Sequence, residues 1–248
     1  MRPVSKPRGI DRRRLLAQLG VHTVKAFDED LEQLRALVAE IGGRAEAALA
    51  NAMQALAMQD EALAAEVVDG DRKIDALASE IERQSVRLIA LRAPMADDLR
   101  EILAALKTSI VIERIGDNAK KIARRALPAR SGRDPEAVAL FPTMAECVAA
   151  MIRSALDAFI ARDADAARRT ALADEEVDQL YHTIFRQLVA EMIESPSTIG
   201  RATDFMIIAQ SLERIADHAV DIADAVCFAA TGDRLAAEAQ AHAQAVPA

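Results

Sequence analysis

Two stretches of this chain carry the same acids in the same order: Glu113-Arg-Ile-Gly-Asp117 recurs as Glu213-Arg-Ile-Ala-Asp217, at an offset of 100. In each copy the Glu and the Asp stand at i and i+4, which on an α-helix brings both carboxylates to one face, about 40° and one turn apart. Asp71 with Asp75 and Asp174 with Asp178 repeat that spacing. Oxygen-rich groups of this kind suit hard or borderline cations such as iron, manganese, magnesium or calcium, and His218 beside Asp217 tilts the second group toward a transition metal. Asp221 and Asp224 lengthen the second acidic stripe, whereas Asn118, Lys121 and Arg124 stand where the second copy has His218, Asp221 and Asp224. The second group is therefore expected to bind a cation more tightly, with Lys121 and Arg124 neutralising part of the first.

A single acid pair is more often the mark of a solvated helix face, with Arg72, Lys73, Arg114 and Arg214 close by in sequence. Position along the chain adds weight to the cation reading. Asp75 and Glu113 each lie 19 residues from Pro94, and Asp71 and Asp117 each lie 23 from it. If Pro94 marks the turn between two antiparallel helices rising 1.5 Å per residue, all four carboxylates reach one level roughly 28 to 35 Å from the turn. Around Pro196 the distances are 18 and 22 on one side against 17 and 21 on the other. Four like charges at one level raise one another's pKa unless a multivalent cation neutralises them. On these grounds a cation site and a solvated acidic face both stay open.

The elements that must carry these acids are helices. Phe205, Ile208, Leu212, Ile215, Ala219, Ile222 and Val226 alternate spacings of three and four, the pattern of a helix packed in a bundle. Aromatics make up 3% of the chain and Trp is absent, so the aromatic and β-branched runs of a sheet protein are missing, and the fold is expected to be all-α. With 248 residues, 52% of them hydrophobic, one or two cores can be filled. A net charge of -8 argues against a general nucleic-acid surface, which needs a basic face. No uncharged apolar run approaches the roughly 20 residues needed to span a bilayer. Cys147 and Cys227 are expected to be reduced packing residues, which fits a cytoplasmic chain.

In order, residues 1–21 are basic, contain Pro and Gly and lack a sustained helical period, so a flexible arm is expected there. A first three-helix bundle spans 22–127. Its long first helix carries Phe27, Leu31, Leu34, Leu37, Val38 and Ile41, with a bend or looseness expected at Gly42-Gly43, and ends near Met58. A short segment to Val68, a turn at Asp69-Gly70-Asp71 and a middle helix through Ile74, Leu77, Ile81, Val86, Leu88 and Leu91 follow. The third helix runs from near Met95 past Ile110 and Ile122. After a linker at 128–136, a second three-helix bundle at 137–229 retraces the first, with helices over 137–161, 174–194 and 198–229 and a short segment over 163–172. A flexible tail at 230–248 closes the chain. Asp60, Asp71 and Asp75 match Asp163, Asp174 and Asp178 at an offset of 103. The architecture expected is thus two tandem three-helix bundles related by a pseudo-twofold, six main helices in all.

Catalytic signatures are absent: no Glu-x-x-His motif of di-iron carboxylate enzymes, no Walker A loop, no Cys-His or Ser-His-Asp order, and His22, His182 and His242 stand isolated. The chain is not expected to be an enzyme.

His22-Thr-Val-Lys-Ala-Phe-Asp-Glu-Asp-Leu31, the Asp-x-x-x-Asp openings of the middle helices and the twin Glu-Arg-Ile-Gly/Ala-Asp segments together resemble the PhoU family of phosphate-uptake regulators, from His22 to about Ala229. The resemblance implies two three-helix bundles whose acidic motifs can hold multinuclear iron or zinc clusters at the surface. Those motifs fall here on Asp71, Asp75, Glu113, Asp117, Asp174, Asp178, Glu213 and Asp217, with His218 and Asp221 as additional candidate ligands. It further implies a cytoplasmic homodimer that represses the phosphate-starvation response, between the ATPase of the phosphate ABC transporter and the phosphate-sensing histidine kinase. The arm before His22 lies outside the family's usual start, and Asn118, Lys121 and Arg124 put a full cluster in the first bundle in doubt. Alternatives are a PhoU-like accessory of another phosphate transporter and a metal-binding helical-bundle storage protein or enzyme.

Overall fold

The computed structural model describes residues 12–126 and 136–235. Each helix is set by one apolar stripe. In α1 (Arg12–Met58) Leu31, Leu34, Val38, Ile41, Ala45, Leu49 and Ala52 are all buried, and they recur at three- and four-residue steps as a packed helix face requires. α2 (Glu61–Arg92) contributes Ile74, Ile81 and Leu88, and α3 (Asp97–Ala126) contributes Ile102, Ile112, Ile115 and Ile122. In the second half a 3-10 turn (Glu136–Leu140) leads into α4 (Phe141–Ala161), followed by α5 (Ala164–Leu172), α6 (Asp174–Glu194) and α7 (Ile199–Thr231). α5 and α6 together stand where α2 stands in the first half, so the described residues form the six-helix, all-α pattern of two three-helix bundles.

The duplication extends to the turns. Asp60 and Asp163 each follow a residue in the left-handed region, Gln59 at φ 54° and Arg162 at φ 55°. Their backbone N–H groups reach back to Ala55 O and Ala158 O, both at 3.0 Å, and their carboxylates cap the next helix by accepting from Leu63 N and Ala166 N, also both at 3.0 Å. Carbonyls left unpaired at one helix end and amides left unpaired at the next are satisfied by the same two-residue device in both halves.

The two bundles pack into one body along α3 and α7, with α1 against α4 beside them. α3 and α7 run antiparallel: Arg125 near the end of α3 bonds Asp204 near the start of α7 at 3.0 Å, and Gly232 just past α7 lies beside Arg100 near the start of α3. α1 and α4 are antiparallel too, and Gly42 is their close approach, since a Cβ there would stand 2.6 Å from Leu156 Cδ1. At the same junction Glu101 of α3 is ion-paired to Arg35 of α1 and to Arg162 at the end of α4. The pseudo-twofold axis thus passes through both contacts.

Several expectations are corrected. α1 begins at Arg12, so 12–21 continue the first helix, while 1–11 lie outside the described residues. It runs unbroken through Gly42-Gly43, where Gly42 gives room for Leu156 of α4. Asp69-Gly70-Asp71 is not a turn: α2 is continuous from Glu61, because burial of Val67, Asp71 and Ile74 on one face outweighs the local turn preference. Val86, Leu91 and Ile110 are exposed, and Ser85 takes the buried place on the 81, 85, 88 stripe. The cysteines match expectation: they form no disulfide, with Cys227 buried and Cys147 partly so. The expected linker lies outside the described residues except for Glu136, which opens the 3-10 turn. The tail lies outside them from 236 onward, and its start continues α7 to Thr231.

Candidate functional site

Because α2 and α3 are antiparallel about Pro94, their acids meet as the spacing predicts. Asp75 is raised above its ordinary value by burial and then by the charges of Asp71 and Asp117, with Lys120 opposing. Glu113 is raised by burial and by Asp75, Asp117 and Asp71, with Arg114 opposing. Contacts of Gly116 with Asp71 and Ile74 and of Lys120 with Asp71 set the register of the two helices, so the four acids line one groove between α2 and α3.

The second groove, between α6 and α7, gathers Asp174, Asp178, Glu213 and Asp217 likewise. Asp174 is pushed up to about 6 by burial, then by Asp178 and Asp217. Glu213 is raised by burial and by Asp217, Asp178 and Asp174; Asp217 is raised by burial and Asp178, with His218 opposing. His218 Nδ1 lies 3.3 Å from Asp221, so these two candidate ligands engage each other at the groove's edge. Asp224 is turned away, accepting from Leu235 N at 3.0 Å and from Arg234 at 3.4 Å.

The grooves differ in what balances their charge. In the first, the Lys120 ammonium donates to Asp71 and stands 3.6 Å from Asp117. Asp71 is buried, its side chain 3% exposed, and its other oxygen, Oδ1, has no hydrogen-bond partner. The hydrogen bond to Asp71 raises Lys120 above its ordinary value. Gly116 makes this burial possible: a Cβ there would lie 2.9 Å from Ile74 Cδ1 and 3.3 Å from Asp71 Oδ1. The second copy has Ala216 and Val220 at those positions, and Asp174 opens α6 half-buried after a break at Ala173.

Lys121 and Arg124, expected to neutralise the first groove, play a different part. Lys121 donates to Asn118 at 3.2 Å on its own helix, and Arg124 is exposed. The residue that does the neutralising is Lys120, one position earlier. Its signal in the sequence is the pairing of Lys120 with Val220 at the offset of 100.

As the side chains stand, no three described His, Cys, Asp or Glu groups converge to hold a metal ion. The carboxylates repel across each groove yet are splayed more widely than one coordination shell. In the second groove the donor set fits a divalent cation, because four crowded carboxylates, one pushed up to about 6 by burial and then by its neighbours, are what such an ion would relieve. In the first groove the set does not fit, because an ammonium already sits on Asp71.

Comparison with known proteins places these grooves in a family. A model described as the PhoU domain matches residues 38–126 and 141–226. The phosphate-specific transport system accessory protein PhoU homolog of Zymomonas mobilis is 48% identical over 214 residues, 86% of this chain and 90% of the relative. The homolog of the same name in Caulobacter vibrioides is 43% identical over 218 residues, 88% of this chain and 95% of the relative. The crystal structure of PhoU from Pseudomonas aeruginosa superposes with a TM-score of 0.80 at 38% identity, covering 84% of this chain and 100% of that one. The phosphate transport system regulatory protein PhoU from Streptococcus pneumoniae gives a TM-score of 0.80 at 27% identity, covering 84% of this chain and 99% of that one. All eight groove carboxylates fall inside the matched segments, four in each, and with relatives this similar over most of the chain, the protein belongs to the PhoU family.

Proposed function

We propose that this protein is a cytoplasmic regulator of phosphate uptake. In this reading it acts as a homodimer with the ATPase of a phosphate ABC transporter and with a phosphate-sensing histidine kinase, and it represses the starvation response when phosphate is plentiful. The observation that carries the reading is the family match across both repeats, with every groove carboxylate inside it. Relatives bearing the name of a phosphate-transport accessory protein support the transporter as partner. Among the described residues no helix is long and apolar enough to cross a membrane, so association with a transporter would run through protein surface. We assign no chemical step to the protein; its role is to bind.

The second groove would hold a cation, iron, zinc or another divalent metal, through Asp174, Asp178, Glu213 and Asp217, with His218 and Asp221 at its edge. Such an ion would supply positive charge to a face that is otherwise strongly acidic. The chain's own part is to bring acids from two helices to one level and to leave them without an ammonium of their own.

Deleting the gene is expected to raise alkaline phosphatase and transporter expression in phosphate-rich medium. The tagged protein should also retain the transporter ATPase and the kinase in a pull-down from phosphate-replete cells. Unchanged expression in the deletion strain would sink the regulatory reading, and capture of a different transporter's ATPase would redirect it.

A further inference from the structure

We propose that Lys120 is a tethered counter-ion that closes the first groove to divalent metals, so that the second groove alone of the duplicated pair is open to one. This rests on the reading of the second groove as a cation site, but it concerns different residues and is tested separately.

Lys120 Nζ bonds Asp71 on α2 and stands 3.6 Å from Asp117 on its own helix, bridging the two helices between acids of both motifs. A divalent ion in this groove would need oxygens about 2.0 to 2.6 Å away on several sides. The ammonium takes up one of those oxygens directly and contributes a positive charge that repels a second cation. It is also covalently held, so it competes at a high effective concentration that a free ion must overcome.

The groove is shaped for this occupant. Asp71 is buried further than Asp174, its counterpart in the second groove. Gly116 supplies the room, and the same atom that crowds a Cβ there, Asp71 Oδ1, is the one without a partner. A carboxylate set this deep is costly unless a charge of opposite sign reaches it, and Lys120 is the side chain that does. The second copy changes both features at once, Gly116 to Ala216 and Lys120 to Val220. Lys121 does not share the role, since its ammonium is directed to Asn118.

The test uses the full chain stripped of metal by chelator, with Mn(II) as the probe in calorimetric titration and elemental analysis. Glu213→Ala with Asp217→Ala disables the second groove and leaves Lys120 in place; this protein is expected to bind no Mn(II). Adding Lys120→Met, which keeps the stem and removes the charge, is expected to restore about one ion per chain, with Mn(II) raising the melting temperature of that variant alone. Lys120→Arg on the same background should leave the groove closed. Should Lys120→Met fail to fold, Lys120→Gln serves as the second variant, and recovery of its fold by Mn(II) counts in favour. The proposal is overturned if the Lys120 protein lacking Glu213 and Asp217 still binds Mn(II) through Glu113 and Asp117, or if neither charge-removing variant binds more than its parent. If the unmutated chain binds none and Lys120→Met gains an ion, the tethered counter-ion stands and the cation reading of the second groove falls.

Discussion

The first and second grooves descend from one duplicated motif, yet each handles its negative charge differently. In the first, α2 runs unbroken through Gly70 and Asp71, the chain approaches α3 closely at Gly116, and the buried carboxylate meets a lysine. In the second, the equivalent helix is broken at Ala173, Asp174 begins α6 half-exposed, and Ala216 and Val220 fill the places of the glycine and the lysine. The first groove sets a lysine ammonium against its buried acid, while in the second only Arg214 and His218 oppose the carboxylates. Four acids kept through a duplication thus lie in different electrostatic surroundings in the two halves.

The largest expected difference is between Asp71 and Asp174. Asp71→Ala removes a buried carboxylate and leaves Lys120 only the more distant Asp117; because Lys120 also reaches partly to solvent, we expect a loss of about 2 kcal/mol rather than the full cost of a broken buried pair. Asp174→Ala relieves repulsion and should cost less than about 0.5 kcal/mol near neutral pH. Urea unfolding of the two variants compares them directly, and equal losses would break the contrast drawn here.

A smaller effect tests the backbone approach. Gly116→Ala should lose about 1 kcal/mol, since crowding against Ile74 and Asp71 outweighs the gain in helix preference. Ala216→Gly should lose about as much for the opposite reason, a weaker helix with nothing gained. Differential scanning calorimetry of the pair decides this: a stabilised Gly116→Ala would mean that the close approach does not constrain the first groove.

The smallest effect is in pH. Asp174 is raised from an ordinary 3.8 to about 6 in the folded chain, so the fold holds its proton more tightly than the unfolded chain does. Its contribution to stability is complete below about 3.8 and is lost as pH rises through about 6. Discounted for its partial exposure, the loss should be about 1 kcal/mol or less in metal-free protein. Asp174→Asn should flatten the slope of melting temperature between roughly pH 4 and 7, and Mn(II) at the upper end should recover stability only where Asp174 is retained. A slope unchanged by the substitution would place the pH dependence elsewhere, Glu213 and Asp217 being raised in the same direction.

Much of this was legible in the sequence. The stripe from Ile208 to Val226 is buried as its spacing required, and equal distances from Pro94 brought the acids of α2 and α3 into one groove. What escaped was decided by tertiary packing. Asp69-Gly70-Asp71 has the composition of a turn, yet in α2 its buried face keeps it helical. Lys120 and Lys121 are neighbours in sequence, but successive residues of a helix point about 100° apart, and only the positions of Asp71 and Asp117 show which lysine faces the groove. Gly116 reads as a weak point of a helix until the distance to Ile74 gives it a purpose.

The antiparallel packing of α3 against α7 has one more consequence. Arg125 lies beside Asp204 and Arg100 beside Gly232, so the residues near 115 and 215 sit at one height on the axis relating the halves. α1 and α4 pack against each other and against α3 and α7, and the same pseudo-twofold carries the groove of α2 and α3 onto that of α6 and α7. The pair of grooves has the outline of a symmetric object and the charge of an asymmetric one. Any rigid surface laid across both grooves meets a lysine under one edge and bare carboxylates, or their cation, under the other; turned end for end, it would meet them in reverse. Duplication supplied a footprint with two equivalent orientations, and the exchange of Lys120 for Val220 makes them unequal, giving the pair a direction.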